Sequence, residues 1–253
     1  MAKVGVPRPS RSVVEEFSEI AAHVYSTEDY EESLGRITQA AVHAVEGCDA
    51  ASLSLLEKTA PVTHAGTADM AVVGDQIQYE EREGPCLDAA MDERWLYTPD
   101  LAHDPRWPRS SQRLVREVGA ASMFSCRLSL EAAPQHTLGG LNLYSRRPDG
   151  FGEDDRMLAM LLASLGAVVV DASRQQVALR AALESRQVIG EAIGIVRSQS
   201  PNLSSEEAFA MLSRASQRTN VKLRDLARRI ADDSALGEPG SEGGEGDGSA
   251  DDR

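Results

Sequence analysis

The 253-residue sequence has only three cysteines, Cys48, Cys86 and Cys126. Their number is odd and no two are closely spaced. That argues against a disulfide framework or a zinc site and fits a reducing cytoplasm. The five histidines, His23, His43, His64, His103 and His136, are scattered without metal-ligand spacing, so neither a metal nor a cofactor is expected. No apolar run approaches the roughly 20 residues that cross a bilayer. The start, Met1 to Pro9, lacks the apolar segment of a secretory signal. The expectation is a cytoplasmic chain with no membrane partner. Proline is absent from Asp154 to Gln199, so nothing in that stretch forces a helix to stop.

Hydrophobic residues make up 42% of the chain, core material for about two domains. The formal net charge is -14, but it is unevenly spread. Residues 233–253 carry seven acids against one arginine, while residues 175–232 carry nine bases against six acids. Residues 1–174 hold the remaining negative charge, which argues against a polyanionic ligand there. A basic segment flanked by acidic ones points to an anionic partner for the basic part.

Asp154 to Gln199 reads as one long helix with a heptad pattern. Its seam runs through Leu158, Leu161, Leu165, Val168, Leu179, Ile189 and Ile193, and among all a and d sites only Gln175 and Arg186 are not apolar. A 3.5-residue period held over more than six heptads predicts a coiled coil that pairs two chains. Gly190 and Gly194 form a small-xxx-small step. Each costs about 1 kcal/mol relative to alanine in a helix interior, and close approach of another helix is the usual compensation.

Before the rod, Ser12 to Val45 shows helical spacing, broken near Ser26-Thr27. Strand patterns follow at Ala51 to Leu56, Pro61 to Ala65, Arg94 to Thr98, Ser122 to Leu130 and Leu138 to Ser145. Short helices open at Gly84-Pro85-Cys86 and after Pro108. The plan is α+β: an antiparallel sheet of five or six strands with helices on one side. Past the rod, Pro201 ends the helix, Ser204 and Glu207 have capping-box spacing, and Asn220 is a left-handed stop between two further helices. The expected divisions are an arm (1–11), an α+β domain (12–152), a connecting coiled-coil helix (153–178), an all-α three-helix module (179–232) and an acidic, disordered tail (233–253).

The C-terminal module resembles the ANTAR domain of bacterial transcription antiterminators. The resemblance rests on Leu183, Arg186, Ile189, Ala192, Gly194 and Ile195, then Glu207-Ala208-Phe209, Leu212, Ser216, Asn220, Lys222-Leu223, Asp225 and Ala227. One departure matters. The family's Ala-Lys-Gly is Ala192-Ile193-Gly194 here, which replaces a possible RNA contact with a packing residue. The N-terminal part resembles a GAF domain through Glu83 to Ala89, Asp100-Leu101, Arg106-Trp107-Pro108 and Leu138 to Ser145. The resemblance implies a regulator that is not an enzyme: a sensor, with an unidentified small-molecule ligand, joined to a module that holds paired hairpins in nascent RNA and so prevents a terminator from forming.

The RNA face implied by charge and resemblance together is Arg214, Arg218, Asn220, Lys222 and Arg228. Arginine forks suit phosphates, and Asn220 suits a base edge. Phe209 is the segment's only aromatic, so base stacking falls to arginine planes. Two other readings compete. A thiol enzyme reducing free methionine sulfoxide would use Cys86 at a helix start with Cys126. A DNA-binding helix-turn-helix would need a clearer recognition helix than the last segment offers.

Overall fold

The structure, a computed structural model, describes residues 11–236 apart from 25, 28, 58–59, 92–93 and 131–136. The expected arm (residues 1–10), nearly all of the polar turn before Leu138 and the tail from 237 onward lie outside the described residues. The chain divides into two compact units between Arg174 and Gln175.

In the first unit, helices α1 (Arg11–Val24) and α2 (Tyr30–Ala44) are separated where the sequence breaks its period. Asp29 caps α2 by accepting the Glu32 amide at 2.8 Å, and Glu31 and Glu32 sit at the positive end of the helix dipole. Strands β1 (Ala50–Glu57), β2 (Ala60–Gly66), β3 (Trp95–Thr98), β4 (Ser122–Leu128) and β5 (Gly139–Ser145) form one antiparallel sheet in the order β2-β1-β5-β4-β3. Helices α3 (Asp69–Glu81), α4 (Pro85–Met91) and α5 (Pro108–Arg113) lie in the connections, and α5 runs into a π-helical turn at Leu114–Val118.

Strand alternation sends side chains to two different cores. Leu53, Leu141, Leu143, Phe124 and Leu128 pack with Leu34 and Ile37 of α2 and with the start of α6 (Glu153–Gln199). Ala50, Met123 and Tyr144 face the other way, against Met70, Ala71 and Ile77 of α3 and Cys86 of α4. Helices therefore cover both faces, not one as the pattern suggested. Ser52 and Ser54 alternate with apolar residues as solvent-facing positions do, yet both are buried. Helix α3 has no clear apolar stripe because two of its inward positions are Asp75 and Gln78.

Helix α6 corrects the seam. Leu158 and Leu165 are buried in the first unit's own core, with Leu161 half-buried against it. Ile189 and Ile193 pack on the second unit's core. Of the seven seam positions only Val168 and Leu179 stay open, 44% and 61% exposed. A helix lying on a core and a helix paired with another present nearly the same apolar period, so the sequence pattern runs the two together. Gly190 and Gly194 have nothing within 4 Å of an added Cβ, so the close approach expected there is not made among the described residues. An 18-residue window of α6 reaches a mean hydropathy of 1.6, apolar enough by composition to cross a membrane, with half of it buried inside the molecule. A count of uninterrupted apolar residues misses this window.

The second unit is a three-helix module: the end of α6, then α7 (Ser205–Thr219) and α8 (Leu223–Leu236). Ala192, Leu212 and Ala227 form its buried centre, surrounded by Val188, Ile189, Ile193, Val196, Leu223 and Ile230. Ser204 accepts the Glu207 amide at 3.1 Å and Glu207 returns to the Ser204 amide at 2.9 Å, a complete capping box. Helix α8 continues through Leu236, three residues past the expected start of the tail at Asp233.

Candidate nucleic-acid interface and sensor interior

The turn between α7 and α8 organises the basic surface. Asn220 closes α7 at φ 52° and ψ 32°, left-handed backbone that asparagine tolerates better than most residues. The Val221 amide donates to the Ser216 carbonyl at 3.2 Å, and the Ser216 hydroxyl donates to the Val221 carbonyl at 2.6 Å. Arg214 and Arg218 are i and i+4 on α7, and Lys222 lies just past this turn, one residue before α8. Arg228 follows along α8. All four are exposed. Among the described residues of this unit the single ion pair is Arg224 with Asp225 at 3.3 Å, so the four have no carboxylate partner. Phe209 and Met211 of α7 are also open, 44% and 40% exposed. Phe209 is thus an aromatic available for stacking, whereas the sequence match shows only that it belongs to the helix. Arg197 is occupied differently: its guanidinium donates to the Leu203 carbonyl at 3.1 Å and to Ser205 Oγ at 3.2 Å, tying α6 to the start of α7.

In the first unit, the α3 side of the sheet carries a buried polar network around Asp75. Tyr144 donates to Asp75 Oδ1 at 2.6 Å, as does Asn142 Nδ2 at 3.0 Å. Ser54 and Thr63 donate to Oδ2 at 3.0 and 2.8 Å. Gln78 supports the Tyr144 hydroxyl at 3.0 Å, and Tyr79 donates to Ser54 at 2.6 Å. Burial pushes the Asp75 carboxyl up, and the hydrogen bonds from Tyr144 and its neighbours pull part of the way back. Asn142 Oδ1 and Ser125 Oγ, on paired residues of β5 and β4, have no partner among the described residues.

An uncharged Asp75 fits this network, because the neighbouring hydroxyls can reverse and accept a proton. Its raised folded-state value lies above the unfolded one of about 3.9. The folded chain then holds a proton that the unfolded chain releases, so this contribution to stability declines as pH rises from about 3.9 through the raised value. Asp75→Asn keeps one acceptor oxygen for Tyr144 and Asn142, turns the other into a donor that the Ser54 and Thr63 hydroxyls can reverse to accept, and removes the titration. Thermal unfolding measured from about pH 4 to pH 7 should shift steadily in favour of the variant relative to the wild type. A constant difference would mean that Asp75 titrates as an ordinary exposed carboxylate.

Cys86 belongs to the same network. Its amide donates to Gln78 Oε1 at 2.9 Å, and its sulfur accepts from Asn142 Nδ2 at 3.2 Å. Burial pushes the thiol up, the opposite of what a nucleophile needs. Cys126 lies on the other sheet face in the other core. The two sulfurs are therefore separated by the sheet itself.

Two family models match the chain with little space between them: the GAF domain over residues 27–171 and the ANTAR domain over residues 177–230. The chain is a GAF–ANTAR protein. GAF domains are sensory and ANTAR domains bind RNA in antitermination, so the architecture is that of a regulator.

The GAF unit resembles solved structures of distant sequence. One is the GAF domain of a phosphoenolpyruvate-protein phosphotransferase from Acinetobacter, at 15% identity and TM-score 0.53, covering 66% of this chain and 96% of that one. A second, from Coxiella burnetii, has 17% identity, TM-score 0.54 and coverages of 67% and 99%. A third is a free methionine-R-sulfoxide reductase from Neisseria meningitidis in complex with its substrate, at 16% identity, TM-score 0.52 and coverages of 70% and 99%. At such identities the likeness is one of fold. Among curated proteins none matches the chain. Ile193, at the departure from the Ala-Lys-Gly pattern, is partly buried and packs against the ANTAR core.

Proposed function

We propose that this GAF–ANTAR protein is a signal-responsive, cytoplasmic RNA-binding regulator. It promotes antitermination by holding paired hairpins in a nascent transcript. The observation that carries the reading is that Arg214, Arg218, Lys222 and Arg228, which flank the Asn220 turn in the chain, are all exposed and without carboxylate partners among the described residues. Such a cluster on a chain of net charge -14 is a site for a polyanion. Arginine forks engage phosphates, and Asn220 projects from the turn toward a base edge.

Two hairpins call for two modules. The middle of α6 supports a homodimer: Val168, Leu179 and Leu183 are open, and with Ala172 they share one helix face. The sensor unit then takes the signal, a small molecule, and α6 carries the chain from it into the ANTAR unit. The thiol-enzyme reading loses support from the separation of Cys86 and Cys126 by the sheet.

The test is binding of a two-hairpin RNA in the presence of excess duplex DNA. Retained hairpin binding is expected. Displacement by duplex DNA at equal affinity would favour the helix-turn-helix reading instead, with α8 as the recognition helix.

A further inference from the structure

The basic surface of the ANTAR unit is followed directly in the chain by a segment of opposite charge. Residues 237–253 contain six carboxylates, Glu238, Glu242, Glu245, Asp247, Asp251 and Asp252, against the single base Arg253. The rest is glycine, serine, one proline and one alanine, so the segment has nothing with which to build a core. Its binding chemistry is a string of anions at intervals of one to four residues.

We propose that this acidic segment occupies the basic surface around the Asn220 turn and competes there with RNA. The inference rests on the RNA-binding reading for its consequence, but the docking itself rests on charge and reach. The segment begins one residue after Leu236, the end of α8. Along α8, Arg228 lies about 12 Å back from Leu236 and Lys222 about 21 Å, at about 1.5 Å per residue. Fully extended, the 17 residues after Leu236 reach at most about 60 Å, at about 3.5 Å per residue, so the basic residues of α8 are within their reach. Because the segment is tethered within reach of that surface, its effective concentration there is on the order of millimolar. Arg229, also exposed on α8, adds a further cation within the same reach.

The contact is electrostatic and carries no apolar component, so it is weak and salt-sensitive. It lowers the apparent affinity of every anionic ligand by the same factor. Weak, non-specific RNA binding falls below useful concentrations, while a tight hairpin complex persists. There is a second consequence. An RNA that displaces the segment exchanges one set of anions for another and releases fewer counterions, so the intact chain has the shallower salt dependence.

The experiment compares the full chain, a chain ending at Leu236, and a full chain with the six acids changed to their amides. Binding of a two-hairpin RNA is followed across a salt series. In parallel, a fluorescent synthetic peptide of residues 237–253 is titrated with the chain ending at Leu236. Both altered chains should bind RNA roughly three- to tenfold more tightly than the full chain at about 0.05 M salt. They should show a steeper slope and converge with it near about 1 M, where screening acts over about 3 Å. The peptide should bind the shortened chain at low salt and lose that binding in R214Q/R218Q. Equal RNA affinity for all three chains would overturn the proposal, and so would a peptide that fails to bind. If no form binds RNA but the peptide binds and R214Q/R218Q abolishes it, the docking stands and the RNA-binding reading falls.

Discussion

With Arg214 and Arg218 both replaced by glutamine, the protein should bind a two-hairpin RNA roughly a hundredfold more weakly. Each charge-assisted hydrogen bond contributes about 1.5 kcal/mol or more, and about 1.4 kcal/mol is a factor of ten. The two side chains share one face of α7 and, among the described residues, neither has an acidic partner to be left unpaired. Folding should therefore be untouched. The salt slope should flatten by roughly 0.7 to 0.9 of a unit for each lost phosphate contact. Asn220 separates from this behaviour. Asn220→Gly preserves the left-handed cap at φ 52° and removes only the side chain. If that side chain reads a base, preference between the true and a scrambled loop narrows while the salt slope stays. Wild-type affinity and slope in the arginine double variant would move the RNA face elsewhere on the unit. Arg197 is a poor substitute, since its guanidinium is already committed to Leu203 and Ser205.

Charging the middle of α6 should separate the two chains. Leu179 and Leu183 are 61% and 56% exposed, and both lie on the face that Val168 begins. Fully burying an exposed leucine contributes roughly 1.5–3 kcal/mol, so four leucines that are already about 40% covered contribute roughly 3.5–7 kcal/mol across a pair of helices before the costs of association. Leu179→Glu with Leu183→Glu removes that contribution and places carboxylates at the contact. Sedimentation should then report monomer with an intact thermal transition. Two-hairpin RNA should be held at single-hairpin strength, a loss of about 10²–10⁴ in avidity. Leu165→Glu is the contrasting variant. Leu165 is 6% exposed inside the first unit's core, so its replacement should unfold that unit, not dissociate it. A Leu179/Leu183 variant that remains dimeric would put the contact between chains on another surface.

Much of the C-terminal unit was legible in its sequence because the deciding interactions are local. Proline has no amide to continue a helix, and Pro201 follows the end of α6. Ser204 and Glu207 are three residues apart, and their reciprocal hydrogen bonds form wherever a helix starts there. Asn220 can take a left-handed conformation, and it does. The charge division and the two family patterns are likewise properties of the order of residues.

The tertiary structure alone decided which polar residues turn inward. Ser52, Ser54, Asp75 and Asn142 are buried because they hydrogen-bond one another across β1, β5 and α3, and no single segment carries that information. The same pairing explains why α3 lacks an apolar stripe and why helices cover both faces of the sheet. It also explains the cysteines: strand alternation sends Cys126 to one face, and α4 delivers Cys86 to the other. Along α6 the sequence supplied an apolar period and nothing to say what covers it. The packing of Leu158, Leu165, Ile189 and Ile193 within their own units answers that, because a buried leucine looks the same in the pattern whether its neighbours come from its own chain or from another.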